Sequence, residues 1–328
     1  MVTEGIVNLN KPKNMTSHQC VQEIRRITGI RRVGHTGTLD PQTDGVLPVC
    51  VGNAARVVEY LDLDYKKYRC EMTLGLVTDT QDVWGKVVSD TRRGLAAKGE
   101  IGSNRLRKTL DSFVGLIEQA PPKYSAVKVG GRRLYEYARA GEPVEIKKRK
   151  VFVKGISVIN VDMDEYRATF DITCSKGTYV RAVCNDAGAL LGCGGAMSSL
   201  TRLASGAFTL DDAISLEDLK KMGTEDFGSV FKPVDYPLVH FGRMEIRGEE
   251  TISRFVNGGF VDLREVIIES MPEFALSDPP FPFRADFKKA YNVYYAFALE
   301  KAFLGVAFLD EERGKLKADK VFFRGAGR

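Results

Sequence analysis

The chain has 328 residues, 44% hydrophobic and 28% charged, with 48 Lys and Arg against 43 Asp and Glu for a formal charge of +5. This is globular rather than disordered composition, long enough for about two domains. No apolar run reaches the ~18 to 20 uncharged residues of a membrane span, and the opening MVTEGIVNLNKPKN is too polar for a signal peptide, so a cytoplasmic location is expected.

Gly5 to Asn10 reads as a strand. Thr16-Ser17 then caps a helix whose Cys20, Val21, Ile24 and Ile27 share one face, and Gly29 ends it. Residues 33–44 have loop composition and lead into an apolar strand from Gly45 to Gly52, after which Asn53 is expected to cap a helix through Leu61. Tyr65 to Leu74 alternates, with Tyr68, Cys70, Met72 and Leu74 on one face, as in a half-buried strand. A helix is predicted over Asn104 to Glu118 with the stripe Leu106, Leu110, Phe113 and Val114, and another over Leu134 to Ala140. Residues 166–174 alternate again, and a helix begins near Thr178 with Arg181 in its first turn. Beyond Asp211 a polar connector with a short helix capped by Ser215 leads to a region of short strands: Asn292 to Leu299, Phe303 to Leu309 and Ala318 to Phe323, with 277–282 as a Pro-rich surface loop. Strands and helices mix without regular βαβ alternation, which favours an α+β fold.

The charge is unevenly spread: residues 1–204 carry +9, residues 205–240 carry −4 and the remainder is balanced. Residues 121–154 alone hold ten Lys and Arg against three Glu, with Tyr124, Tyr135 and Tyr137 interleaved. Cations among rings suit looped or single-stranded nucleic acid, and they equally suit a solvated amphipathic helix. The six scattered cysteines contain no Cys-x-x-Cys pair and read as buried free thiols, while three histidines argue against a His-rich metal site.

The most unusual segment is GHTGTLDP at 34–41, where two glycines and Pro41 would hold Asp40 on a stiff loop with His35 five residues before it. An Asp-Pro turn acting as a cap explains the same residues. No nucleotide-binding glycine motif or EF-hand spacing occurs, and Asp79 and Asp82 read more readily as a polar strand-end turn than as a metal pair.

Five ordered segments, GHTGTLDP (34–41), YKKYRCEMTLGLVTDTQD (65–82), PPKYSAVKVGGRRLYEYARAGEPVEI (121–146), CSKGTYVRAVCNDAGALLGCG (174–194) and TRLASGAF (201–208), resemble the bacterial tRNA pseudouridine synthase B family. The resemblance begins at GIVNLNKPKNMTS and extends past residue 210, and the C-terminal FLGVAFLDEERGKLKADKVFF is similar to the family's small PUA-like RNA-binding domain. It implies a pseudouridine synthase catalytic domain over 1–240, with a central mixed, mostly antiparallel sheet flanked by helices and an RNA-clamping basic insertion at about 121–150. A PUA-like β domain would occupy 241–328. The implied reaction is isomerisation of uridine 55 in the TΨC loop of tRNA to pseudouridine, without metal or other cofactor.

On the same resemblance Asp40 is the catalytic carboxylate, Tyr68 packs on the flipped uracil and takes part in proton transfer at C5, and Arg181 pairs with Asp40. Tyr179 would floor the pocket and Leu203 would wall it. His35 would fill the place of the flipped nucleotide or touch the T-loop, and Lys11, Lys147, Lys148, Arg149 and Lys150 would bind RNA. The chain departs from the family at Asp44, whose carboxylate is expected to face solvent or a basic neighbour. The expected partner is the T-arm of tRNA, bound by a monomer with no obligatory protein partner and no membrane. Two other functions fit parts of the pattern: a guide-RNA-dependent subunit of a ribonucleoprotein, and a tRNA-folding chaperone.

Overall fold

The computed structural model describes residues 4–63, 65–94, 101–223, 226–272, 293–298, 302–310 and 312–322. The predicted loop at 277–282 lies outside the described residues.

The first strand, β1 (Gly5–Lys11), leads into α1 (Ser17–Thr28). Thr16 caps that helix, its side chain accepting from the Gln19 amide while the Gln19 side chain accepts from the Thr16 amide, and Gly29 closes it in the left-handed conformation at φ 69°. The longer strands of the eleven-stranded main sheet are, besides β1, β2 (Asp44–Val51), β3 (Lys66–Leu74), β4 (Gly115–Gln119), β5 (Arg149–Asp162), β6 (Arg167–Cys174) and β7 (Gly195–Ser205). They lie in the order β1-β2-β7-β3-β6-β5-β4. β2 and β7 run parallel, whereas β7-β3, β3-β6, β6-β5 and β5-β4 are antiparallel, so the sheet is mixed and mostly antiparallel as expected.

One face of this sheet carries α2 (Ser103–Asp111) and α4 (Val180–Leu191); the short α3 (Leu134–Ala140) lies between them in sequence. Leu106, Leu110, Val183, Cys184 and Ala187 pack on Cys70, Met72, Phe170 and Ile172, the alternate residues of β3 and β6. All six cysteines are buried and free. The predicted helix over 104–118 is two elements. It ends at Asp111, Val114 is 45% exposed, and Gly115 at φ 106° turns the chain into β4, where Ile117 pairs with Val151. The cross-strand partner overrides the helical stripe. Likewise the helix expected after Asn53 is two 3₁₀ segments, Gly52–Arg56 and Val58–Leu63, preceded by Val51 with no side-chain cap.

Chain contacts define two compact units. The first comprises Val7–Val49 and Asp64–Val230; the second takes Val2–Ile6 and Cys50–Leu63 together with the chain from Phe231 onward. After α5 (Leu216–Lys221), capped by Ser215 as predicted, the second unit is built on β8 (Gly242–Ile246), α6 (Glu249–Val256), β9 (Phe260–Asp262), β10 (Val266–Ser270), β11 (Val293–Phe297), β12 (Phe303–Asp310) and β13 (Lys315–Val321). Its described strands form one sheet in the order β9-β13-β12-β11-β8-β10 around Met244, Phe255, Val261 and Leu316. Residues 50–63 join it through Tyr60, whose hydroxyl donates to Asp319 at 2.6 Å, and Arg56, which donates to the Val321 carbonyl at 2.7 Å.

α4 approaches β7 where both present glycine. A Cβ on Gly188 would lie 2.1 Å from the Gly195 nitrogen, closer than any real contact. Gly188→Ala is therefore expected to cost about 3 kcal/mol, because backbone on both sides must move. Urea denaturation checks this; a destabilisation under about 0.5 kcal/mol, the scale of a neutral surface change, would contradict the packing.

Candidate active site

Asp40 stands on a loop anchored from several directions. The Asn14 amide donates to the Pro41 carbonyl at 2.8 Å, the Thr36 amide to the Pro48 carbonyl at 3.1 Å, and the Leu39 amide to the Ser17 hydroxyl at 2.9 Å. Lys11 completes the anchoring. It is fully buried, and its Nζ donates to the carbonyls of Pro12 at 2.8 Å, Met15 at 2.5 Å and Pro41 at 3.3 Å. Three backbone acceptors take up its three donors, so Lys11 holds the loop and does not reach RNA, contrary to the expected binding role.

Arg181 enters from the first turn of α4, with 5% of the residue exposed. Its guanidinium lies 3.1 Å from an Asp40 carboxylate oxygen and 3.4 Å from an Asp82 oxygen, and also donates to the Thr80 carbonyl at 3.1 Å and the Tyr124 carbonyl at 3.0 Å. The Asp40 side chain keeps 44% of its surface open to a cleft, with protein packed around the rest. Burial pushes its carboxyl above the ordinary 3.8; Arg181 and Lys11 oppose the shift and Asp82 adds to it. The second carboxylate in this network is Asp82, from the segment read as a polar strand-end turn. Asp44 instead opens β2, accepts from the Thr201 hydroxyl at 2.6 Å and lies within electrostatic reach of Lys11.

The cleft above Asp40 holds about 320 Å³ and is lined by Tyr68, Tyr179, Leu200, Arg202 and Lys66, with 36–39 on the loop side. Tyr179 is fixed by Gln119, which accepts from its amide at 2.7 Å and donates to its carbonyl at 3.1 Å. Leu203 is not among the lining residues. It falls between Arg202 and Ala204, where β7 carries a bulge against β3, and Leu200 supplies the apolar wall in its place. Arg202, inside a motif noted in the sequence but given no role, is 2% exposed, donates to the carbonyls of Val46 at 2.5 Å and Gly37 at 3.2 Å, and stands directly opposite Tyr68 in the pairing of β7 with β3. Nothing in the linear sequence separates it from a surface arginine, because its burial depends on β2, β3 and β7 meeting.

A second, wider cleft of about 920 Å³ also opens on Asp40, lined by His18, His35, Lys128, Arg133, Tyr135 and Arg139 among others. Burial lowers the pKa of His35, with Arg202 and His18 adding to the effect, so its imidazole is neutral at pH 7. Within the basic stretch, Arg133 and Arg139 lie over the Tyr135 ring at 5.8 and 5.3 Å, and Arg132 lies over Tyr137 at 4.4 Å. Two of the three tyrosines are thus already covered by arginines. Lys147, Lys148, Arg149 and Lys150 are exposed and line neither cleft.

An ionised Asp40 is the form that can meet an electron-poor sugar or base carbon. The acidic limb of activity is expected above pH 3.8, and to move to lower pH in Asp82→Asn, which removes a charge opposing ionisation of Asp40. A pH–rate profile of the two proteins checks this; an unmoved limb would mean that Asp82 does not act on Asp40.

Comparison with known proteins gives the family. Residues 25–180 match the family model described as "TruB family pseudouridylate synthase (N terminal domain)", and residues 181–239 match "tRNA pseudouridylate synthase B C-terminal domain". The tRNA pseudouridine synthase B of Bacillus licheniformis is 44% identical over 261 residues, covering 78% of this chain and 82% of that protein. That of Levilactobacillus brevis is 39% identical over 305 residues, covering 90% of this chain and 99% of that one. Among solved structures, a Cbf5-Nop10-Gar1 complex aligns with a TM-score of 0.71 at 24% identity, over 98% of this chain and 85% of the other, a likeness of fold. The loop that carries Asp40 and the helix that carries Arg181 both fall within the matched residues, and the chain belongs to the tRNA pseudouridine synthase B family.

Proposed function

We propose that this protein isomerises uridine in the T-arm loop of tRNA, at position 55, to pseudouridine. The observation that carries this reading is the Asp40 carboxylate held 3.1 Å from a buried guanidinium at the floor of a cleft lined by Tyr68, Tyr179 and Leu200. Isomerisation exchanges an N1–C1′ bond for a C5–C1′ bond, with no net redox change and no energy carrier. What it requires is a carboxylate, stacking surfaces for the extracted base and charge that tolerates an anionic leaving base. Arg181 keeps Asp40 available as an anion and aims it. The two tyrosines present ring surface to the nucleotide, and the cationic cleft beside them takes the flanking phosphates, offsetting the few kcal/mol of unstacking.

Location in the cytoplasm follows from this reading, as does action as a monomer without an obligatory protein partner. No helix among the described residues is long and apolar enough to cross a membrane. The likeness to a Cbf5 complex supports the shared fold and does not favour a guide-RNA-dependent role, which predicts inactivity of the isolated chain on bare transcript.

Purified protein is expected to form pseudouridine on an unmodified tRNA transcript, and Asp40→Asn to lose turnover while its Kd for tRNA stays within about threefold, under 1 kcal/mol. Turnover retained by Asp40→Asn would sink the assignment. Replacing Lys147, Lys148, Arg149 and Lys150 by Gln is expected to weaken binding and to lower the salt slope by about 0.7 to 0.9 for each phosphate that the variant no longer neutralises. An unchanged slope would make these four residues solvated surface charges.

A further inference from the structure

Gln119 is a buried side chain to which neither the sequence motifs nor the pairing of Asp40 with Arg181 gives a task. It ends β4, is 3% exposed, and stands opposite Arg149 of β5, so the basic stretch leaves the sheet directly after it and returns beside it. Its side-chain amide engages one residue twice: Oε1 accepts from the Tyr179 amide at 2.7 Å and Nε2 donates to the Tyr179 carbonyl at 3.1 Å. A backbone N–H only donates and a carbonyl only accepts, so this orientation of the Gln119 amide is the one that satisfies both. The side chain does what a strand partner does, exchanging both bonds with the residue it faces.

Tyr179 stands just before α4 in extended conformation, at φ −101° and ψ 107°, and its side chain does not cap the helix. Its carbonyl also accepts from the amides of Ala182 and Val183 and so begins the helical ladder, while its own amide is served by Gln119. The turn that delivers it is tied at the other end to β5, where the Ser175 amide donates to the Phe152 carbonyl at 2.8 Å and the Ser175 hydroxyl accepts from the Phe152 amide at 3.0 Å. Arg181 follows in the first turn of α4, and its guanidinium donates to the Tyr124 carbonyl. Between Gln119 and Tyr124 lie Pro121 and Pro122, both buried, which fix φ along that segment. One stiff segment, 119–124, therefore holds both the ring that lines the cleft and the cation paired with Asp40.

We propose that Gln119 is a positioning residue of the isomerase, clamping the Tyr179 backbone so that the Tyr179 ring lines the cleft and the first turn of α4 brings Arg181 to Asp40. This inference rests on the isomerase reading and deepens it. Gln119 lines neither cleft, so its effect on the reaction passes through these two residues. A glutamine that served the fold alone would change stability and leave the chemistry of the folded enzyme as it is.

The test is single-turnover isomerisation of a tRNA transcript at saturating protein, with Kd measured separately. Wild-type turnover is measured first, so that failure of the isomerase reading is separated from failure of this one. Gln119→Met keeps the length of the side chain and loses both hydrogen bonds. It is expected to slow the chemical step about 10- to 100-fold, the scale of a small misplacement of reacting groups, while Kd stays within about threefold. Gln119→Glu keeps an acceptor for the Tyr179 amide and should recover about fivefold over Gln119→Met, the scale of one hydrogen bond. The charged groups acting on Asp40 are Arg181 and Lys11, which favour its ionisation, and Asp82, which opposes it. Loosening Arg181 makes Asp40 harder to ionise, so the acidic limb of Gln119→Met should move to higher pH. Replacing the Tyr179 backbone nitrogen by oxygen, through the tyrosine α-hydroxy acid, removes the same hydrogen bond with both side chains intact. It should slow the reaction by a comparable factor, and it decides the point even if Gln119→Met does not fold. A folded Gln119→Met or an ester analogue at the wild-type rate, a defect confined to Kd, an unmoved acidic limb, or a Gln119→Glu no better than a folded Gln119→Met would each overturn the proposal.

Discussion

The guanidinium of Arg181 is the contact on which the rest of the site depends. It joins the Asp40 loop, the 80–82 turn after β3, and the Tyr124 backbone at the head of the basic stretch, three segments far apart in sequence. Planar donors in a fixed fork can serve that many acceptors at once, which an ammonium could not do with the same geometry. Removing it would take the shared cation from two carboxylates and a donor from two carbonyls at once, so catalytic geometry and local stability are coupled at one side chain.

Around this contact three inward-facing cations surround the Asp40 loop, each with a different assignment. Lys11 is used up on backbone carbonyls and fixes the loop. Arg181 neutralises acid, and Arg202 donates to the Val46 and Gly37 carbonyls across the strand pair from Tyr68. The site is thus more cationic than its single exposed carboxylate suggests, a balance suited to an anionic polymer and to a base that departs with extra charge. The wider cleft continues the pattern with Lys128, Arg133 and Arg139. Arginines stacked on Tyr135 hold that ring in place, so the stretch that reads as cations interleaved with free aromatics is partly self-paired.

How much of this was legible beforehand depended on whether the signal was local. Thr16 and Gly29 bound α1 as read, because capping is decided within a few residues. The face formed by Cys70, Met72 and Leu74 was visible through its two-residue period. The helix predicted over 104–118 failed at Gly115, where pairing of Ile117 with Val151 captured residues whose own periodicity was helical. Leu203 failed for a related reason: the bulge between Arg202 and Ala204 shifts which residues of β7 face the cleft, and only the partner strand reveals it.

The amino-acid sequence by itself determined the family, the α+β class, the loop that carries Asp40 and the pairing of Asp40 with Arg181, because each rests on motifs or on short-range chemistry. Only the tertiary structure decided which charges are functional. Asp82 rather than Asp44 joins the acid network, Lys11 serves the backbone, and Arg202 is buried against Tyr68. The reason is physical: the work a charge can do is set by its burial and by the groups facing it. Those are properties of strands brought together from residues 44, 68 and 202, not of any one stretch of chain.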